Sequence, residues 1–215
     1  MGGAYLYESK QELVIRSVFV FYGDAADQAL ATRLAEETGQ MWNAPGALIK
    51  AKGRLFAVRF EISGLYRADL SFDEIHGNTD PHYNFFRVEE FSRSDISFVD
   101  EIGCNTGYFK RDNLLDQTTT IAHEYGHTLG LRHPEILDIR GKGQPGIMYP
   151  RGTWVDAPYQ WDPQAEPGKP GGTLNPACRR VLPEDIGQLF LDRLHFDTSG
   201  KAVVGDFTNL YHKRH

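Results

Sequence analysis

The hydrophobic and polar positions of this chain change their spacing several times, and each spacing predicts a different element. Residues 12–22 (ELVIRSVFVFY) are almost continuously apolar and rich in β-branched and aromatic side chains, which predicts a buried strand. Residues 25–42 carry two leucines and a methionine near helical spacing, and Asp24 precedes them as a suitable N-cap. The chain therefore begins with a strand followed by a helix.

The middle of the chain continues with strands and one helix. Residues 116–130 predict this helix, with Asp116 as its N-cap. Strands are predicted over residues 48–66, 84–91 and 96–109. Gly53 is predicted to form a turn or a bulge within the first of these stretches.

The last third of the chain has a different pattern. Residues 134–180 show little periodicity and are rich in Gly and Pro, and an irregular connection of that length is uncommon unless it is functional. Pro183 then opens a final helix, whose apolar face comprises Ile186, Leu189, Phe190 and Leu194. The order of elements predicts a mixed α+β fold with three helices, and we interpret residues 1–215 as one domain.

Composition narrows the class of protein. Apolar residues make up 40% of the 215 residues and aromatic residues 12%, which is enough for a sizeable core. The net charge of -6 without a basic stripe argues against a nucleic-acid partner. No apolar run approaches the length needed to span a membrane. We expect the protein to be a monomer. The two cysteines, Cys104 and Cys178, are compatible with a disulfide or with two separate thiols.

The densest chemical pattern is residues 123–133, HEYGHTLGLRH. On a helix, His123 and His127 are four residues apart and share a face, so both can bind one zinc ion. Glu124 lies one step around the helix, where a general base can accept a proton from water at the metal. Gly130 can end the helix in a left-handed conformation, and the turn allows His133 to supply the third nitrogen.

The alternative to a metal site is a surface helix that buries Tyr125 and Leu129 and leaves the histidines in solvent. That alternative must explain Gly130 and His133 separately, so the spacing favours the metal site. Three protein ligands leave a fourth position open, which is the arrangement of a catalytic zinc ion.

These residues match the long zinc signature of the metzincin peptidases, HExxHxxGxxH. Residues 146–150, GIMYP, resemble the methionine turn that lies beneath the metal in that family, with Met148 as its methionine. Residues 182–186, LPEDI, resemble a matrixin segment in which an acid bonds back to the methionine turn, a role that would fall to Asp185. The chain therefore resembles the metzincins, and within them most closely the matrixins.

The resemblance implies a fold and an activity. It implies a twisted five-stranded sheet, mostly parallel with one antiparallel edge strand, in an upper subdomain (1–132), and a small lower subdomain (133–215) that contains the methionine turn. It implies a zinc-dependent endopeptidase that binds polypeptide as an extended strand, and residues 102–108 are our candidate for the sheet edge. Pro134 departs from the matrixins, because serine is usual after their third histidine.

Weaker patterns remain open. Acidic and imidazole groups near His76 and His82 form a candidate for a second metal, and we favour a polar surface loop there. Asp95, Asp100 and Glu101 lack the spacing of a calcium loop, so an additional Ca²⁺ or Zn²⁺ is not supported. Three aromatic residues in the long connection are candidates either for a specificity pocket or for anchoring that segment: Trp154, Tyr159 and Trp161.

Besides hydrolysis of a non-protein amide or ester, which the same zinc machinery would serve equally, two further functions compete with a general secreted peptidase. One is a bacterial effector or toxin protease with a narrow substrate, since residues 1–4 do not open a signal peptide. The other is a binding module that keeps zinc for structure, against which Glu124 argues because a structural site needs no base. We expect an extracellular location.

Overall fold

A computed structural model describes residues 1–92, 95–115 and 118–214, and within them the chain forms one mixed sheet of eight strands with four α-helices. In chain order the elements are β1 (Gly2–Tyr7), β2 (Glu12–Tyr22), α1 (Gln28–Asn43), β3 (Leu48–Ala51), β4 (Arg54–Tyr66), α2 (Phe72–His76), β5 (Tyr83–Glu89), β6 (Phe98–Val99), β7 (Thr106–Lys110), α3 (Thr120–Thr128), α4 (Pro183–Gly187) and β8 (Lys201–Val204).

Four strands at the centre of the sheet are parallel. They lie in the order β4-β2-β5-β7, and β6 pairs antiparallel with β7 at one end. β2 is the axis of this arrangement, since it pairs with β4 over most of its length and with β5 over its last five residues. Its nearly continuous apolar sequence follows from this position, because a parallel strand between two neighbours is buried on both faces.

The expectation of five strands was wrong, because three further strands join the sheet. β3 forms a hairpin with β4 through a turn at Gly53, whose φ is +76°. β1 pairs antiparallel with the first half of β2, and β8 pairs antiparallel with β1. β8 belongs to the last part of the chain but lies beside β1, and such a non-local pairing leaves little trace in the local sequence pattern. The chain segment after residue 133 therefore returns to the sheet.

The candidate sheet edge was also placed wrongly. Residues 106–110 form β7, which lies between β5 and β6 and is therefore an interior strand. The edge strand is β6, which pairs Phe98 with Tyr108 and Val99 with Gly107. β6 has only two residues, too few for an alternating pattern to distinguish it from the following strand.

The helices differ from the sequence expectation in number and length. α2 was not expected; Ser71 and Glu74 form a reciprocal capping box at its start. α1 begins after Asp27, whose carboxylate accepts from the Leu30 amide, so Asp24 is not its cap. α4 has only five residues, and Phe190 follows it with a φ of +47° and an exposed ring, so the expected apolar face of a longer helix does not form. The predicted N-cap Asp116 lies outside the described residues.

The main core lies between the sheet, α1 and α3. The Trp42 indole of α1 donates to the Ala122 carbonyl of α3 at 3.1 Å, and its ring makes an edge contact with Tyr125. Tyr125 also packs against Phe19 of β2, and its hydroxyl is 2.8 Å from the Ser17 hydroxyl. These contacts attach α3 to both α1 and the central strand. Within the described residues, no helix combines the length and apolarity needed to cross a membrane.

The long segment between α3 and α4 has a small core of its own. Ile139, Val155 and Leu174 are buried together, and Tyr149, Tyr159 and Cys178 pack against them. The Arg140 guanidinium lies over the Trp154 ring, which also packs against Gly168. These contacts support the interpretation that Trp154 anchors the long segment. Backbone bridges join Asp138 to Trp154, Gln160 to Leu174 and Gly146 to Arg180. Turns and single bridges, rather than helices or paired strands, supply the backbone hydrogen bonds observed in this irregular segment.

Candidate metal centre

The C-terminus of α3 turns sharply at Gly130. Gly130 has a φ of +101°, and its amide donates to the His127 carbonyl at 3.0 Å. The amide of Leu131 donates to the Gly126 carbonyl, also at 3.0 Å. These two bonds form a Schellman motif with glycine at the left-handed position. The turn reverses the chain so that residues 131–133 run back beneath the helix.

Three imidazoles converge where the chain reverses. The Nε2 atom of His133 lies 3.0 Å from Nε2 of His123 and 3.1 Å from Nε2 of His127. Ligand atoms of the three residues all lie within 4.8 Å of one another, and this is the one such group of three or more His, Cys, Asp or Glu in the described parts of the chain. His123 and His127 are buried, and His133 is exposed.

Backbone carbonyls orient the two buried imidazoles. Nδ1 of His123 donates to the Ile147 carbonyl at 2.7 Å, and Nδ1 of His127 donates to the Leu131 carbonyl at 2.7 Å. With the proton on Nδ1, the lone pair of each ring is on Nε2 and faces the other imidazoles. Burial lowers the pKa of His123 well below its usual range and that of His127 to about 4, so both rings are neutral at pH 7.

The donor set fits a metal ion. Two nitrogens bound tetrahedrally to zinc at about 2.0–2.1 Å are roughly 3.3–3.4 Å apart, close to the 3.0 and 3.1 Å that separate Nε2 of His133 from those of His123 and His127. Neutral imidazole nitrogens suit zinc and also other late first-row metals. The exposed side of His133 leaves access for a further ligand. The triad could therefore hold a metal ion, and its geometry does not distinguish among these metals.

Glu124 lies in the same cavity wall as the three histidines. Glu124 is only 8% exposed, and its Oε2 accepts a hydrogen bond from the Val99 amide of β6 at 3.2 Å. Burial raises the pKa of Glu124 to about 8, and the Val99 amide and Arg179 oppose that rise. A carboxyl group with a pKa near neutrality can both accept and release a proton under ordinary conditions.

Met148 packs directly against α3, and Gly126 makes this contact possible. A Cβ at Gly126 would lie 2.3 Å from the Met148 sulfur and 3.3 Å from Cζ2 of Trp42. Gly126 lies within the motif, at a position that the zinc signature leaves unspecified, so the sequence pattern did not identify its role. The methionine is buried and touches the helix between the two histidine turns.

We expect Gly126→Ala to destabilise the protein by about 1–3 kcal/mol, because the added methyl group overpacks a buried contact. Gly39→Ala is the matched control: Gly39 is in α1, and a Cβ there meets nothing within 4 Å. This control should stabilise the protein by about 0.4–1 kcal/mol through helix propensity and unfolded-state entropy. Urea unfolding of both variants measures the two effects, and equal stability of Gly126→Ala and the parent protein would contradict the packing argument.

Asp185 connects α4 to the methionine turn. Its Oδ2 accepts from the Ile147 amide at 3.3 Å and from the Leu182 amide at 2.8 Å. Ile147 is also the residue whose carbonyl accepts from His123. Asp185 thus supports the first imidazole through one backbone residue, which is the contact that the resemblance implies. Burial raises the pKa of Asp185, and its two amide donors oppose this rise.

Arg179 is the residue near the triad that the sequence reasoning missed. It is 4% exposed; its Nε donates to the Thr119 hydroxyl at 2.8 Å and its Nη1 to the Tyr149 carbonyl at 3.1 Å. Nη1 also lies 2.9 Å from Nδ1 of His123, but that nitrogen uses its proton for Ile147 and has no lone pair for Arg179. Burial lowers the pKa of Arg179 to about 10. No sequence motif includes this residue.

Two cavities meet at the triad. One, of about 450 Å³, runs along Ile96–Val99 and β6 and includes all three histidines and Glu124. The other, of about 200 Å³, shares His123, Glu124 and His133 and extends towards Arg151 and Arg179. A larger cavity of about 780 Å³ lies elsewhere, lined by α1, β2 and β4, and contains no residue of the triad. We place the site at the two smaller cavities, because the chemically matched groups are there.

Among the weaker candidates from the sequence, Glu101 lines the larger cavity at the triad without joining its group of ligand atoms, and the others make contacts of their own. His82 contacts the Tyr5 hydroxyl through Nε2 at 2.6 Å and Asp80 through Nδ1, and His76 stacks on Phe72. Asp95 pairs with Lys110. Asp100 is bonded to Thr106 and to His212, whose ring makes edge contacts with Phe98 and Tyr108. Cys104 and Cys178 are both free thiols, which resolves the alternatives left by their spacing.

Comparison with known proteins adds no family to these observations. No protein-family model matches the chain, and a search of curated protein sequences returned no significant match. The interpretation of the site therefore depends on its own geometry, which shows a triad of histidines able to hold a metal ion in a mixed α+β fold.

Proposed function

We propose that this chain is a zinc-dependent endopeptidase of the metzincin type. The observation that carries the proposal is the convergence of three Nε2 atoms beside a buried carboxyl group in one cavity. A metal site that only stabilises a fold usually closes with a fourth protein ligand, whereas this one opens on a cleft. The combination supports hydrolysis rather than structural metal binding.

Each residue of the site has a distinct part in the proposed reaction. His123, His127 and His133 would hold the zinc ion, which would supply Lewis acidity and make an attacking water more acidic. Glu124 accepts the proton of the attacking water and later releases it to the leaving amine. Its Oε2 is held by Val99, and its Oε1 has no hydrogen-bond partner in the described parts of the chain, so Oε1 is the atom proposed to carry the proton.

The edge strand supports a polypeptide substrate. Among the described residues, β6 pairs only with β7, and Ile96–Val99 line the larger of the two cavities at the triad. An extended peptide can pair with such an edge through its backbone, which provides affinity with little demand on its side chains. We propose that the substrate binds there, with its scissile bond beside Glu124.

Proteolysis can be tested directly with a mixture of unfolded proteins. We expect cleavage that a chelator abolishes and that one equivalent of zinc restores, because the triad has one set of ligands. Mass spectrometry of the new termini reports the cleaved bonds, and elemental analysis reports the metal. Stoichiometric zinc without chelator-sensitive cleavage of any protein would instead support a non-catalytic zinc module.

A further inference from the structure

The smaller cavity at the triad contains two positively charged side chains. We call it the arginine pocket; its lining includes Asn113, His123, Glu124, His133, Arg151 and Arg179. Glu124 is the one acidic residue among these lining residues. Two guanidinium groups and one carboxylate leave the pocket with a net positive charge when all three are ionised.

Arg179 forms no close ion pair in the described parts of the chain, and Glu124 is the nearby acid whose charge acts on it from a greater distance. No carboxylate oxygen lies within 4.0 Å of its guanidinium, although the residue is 96% buried (4% exposed). Its Nε and Nη1 atoms donate to Thr119 and Tyr149, and its Nη2 atom has no hydrogen-bond partner among the described residues. A buried guanidinium without an anion is costly, and that cost falls when a ligand brings a carboxylate.

Arg151 adds a second cation at the exposed rim of the pocket. Its Nη2 contacts the Asn113 amide oxygen at 3.4 Å, and within the described chain it forms no ion pair. The nearby acid Asp95 pairs instead with Lys110 at 2.6 Å. Two guanidiniums facing one small space repel each other, and an entering anion relieves that repulsion.

We propose that the arginine pocket binds the side-chain carboxylate of a substrate residue that flanks the scissile bond, so that the enzyme cleaves beside Asp or Glu. The inference depends on the proposed peptidase activity, since the pocket shares His123, Glu124 and His133 with the triad. A residue beside the scissile bond is the part of a substrate that lies nearest to these groups. The planar fork of a guanidinium suits a carboxylate in two-point contact.

The cleavage sites in unfolded proteins provide the first test. We expect Asp and Glu to be enriched at one of the two positions that flank the cleaved bonds. Peptide pairs that differ only as Asp and Asn at that position should then differ about 10- to 100-fold in kcat/KM, the range expected for a charge-assisted contact. Cuts confined to the last residues of substrates would overturn the inference, because the pocket would then bind a C-terminal carboxylate.

Variants of the two arginines provide the second test. Arg151→Gln should reduce the Asp/Asn ratio at least about 5-fold, and Arg179→Gln should reduce it further. Arg111→Gln is the matched control, since Arg111 is partly exposed, pairs with Glu90 and lies outside the pocket; it should leave the ratio unchanged. Arg151 is exposed, so its variant tests the inference even if Arg179→Gln does not fold.

The possible outcomes separate the two proposals. Chelator-sensitive cleavage without an acidic preference, or with a preference that both pocket variants retain, would overturn the inference and leave the peptidase proposal intact. Absence of chelator-sensitive cleavage in every substrate would overturn the peptidase proposal and the inference with it. A purely structural Arg179 would lower activity on the Asp and Asn peptides equally and leave their ratio unchanged.

Discussion

Glu124→Gln is expected to lower kcat/KM by about 10²- to 10⁴-fold while the protein still binds one equivalent of zinc. The amide cannot accept the proton of the attacking water, but it is the same shape and its oxygen can still accept from the Val99 amide. Metal binding should persist, because the three imidazole nitrogens are the proposed ligands. Steady-state kinetics with a peptide substrate and elemental analysis measure the two quantities.

Stability should not fall in the same variant. Burial raises the pKa of Glu124 to about 8, so the charged carboxylate is disfavoured where it lies, and a neutral amide avoids that desolvation. Glu135→Gln is the matched control, since Glu135 is an exposed acid two residues after the third histidine. Activity of Glu124→Gln within twofold of the parent protein would show that the carboxyl group does not carry the proton.

His133→Ala is expected to weaken zinc binding by at least about 10²-fold. Structural sites with four ligands bind zinc with a free energy of about 10–16 kcal/mol, so one ligand contributes on the order of 3 kcal/mol of binding free energy. His133 is the most informative ligand to remove, because it is exposed and its loss leaves no cavity in the core. His123 and His127 are less suitable, because they also bond the Ile147 and Leu131 carbonyls.

Competition with a chromogenic chelator measures this affinity, and thermal unfolding with and without zinc provides an independent readout. A ligand that binds only the folded state raises its stability, so the parent protein should gain more from zinc than the variant. His195→Ala is the control, since it removes an exposed imidazole outside the triad. Zinc affinity equal to that of the parent would place the metal elsewhere and remove the basis of the proposed function.

The contacts around the triad explain how a site with one exposed ligand can be ordered. Two of its three imidazoles are held by carbonyls of Ile147 and Leu131, which belong to two different turns. Asp185 holds the first of these turns through the Ile147 amide, and the Schellman motif at Gly130 holds the second. His123 and His127 are therefore oriented by backbone bonds that need no metal, which reduces the ordering cost of binding one.

The sequence determined the elements whose signals are local. The continuous apolar run of β2, the helical spacing of α1 and the HEYGHTLGLRH motif each lie within one segment, and the structure forms the corresponding strand and helices. Gly130 was identifiable because a left-handed turn after a helix favours one residue type. The close approach of His123, His127 and His133 follows from helix periodicity and this turn.

Only the tertiary structure decided what depends on contacts between distant segments. β8 joins the sheet by pairing with β1, about 200 residues away in sequence, and no local pattern encodes its partner. The two-residue β6, rather than β7, forms the edge. Arg179 reaches the site because residues 176–179 fold back against Thr119, so a charge that resembles a surface arginine in the sequence becomes buried beside the histidines. Long-range packing, not residue type, gives that arginine its environment.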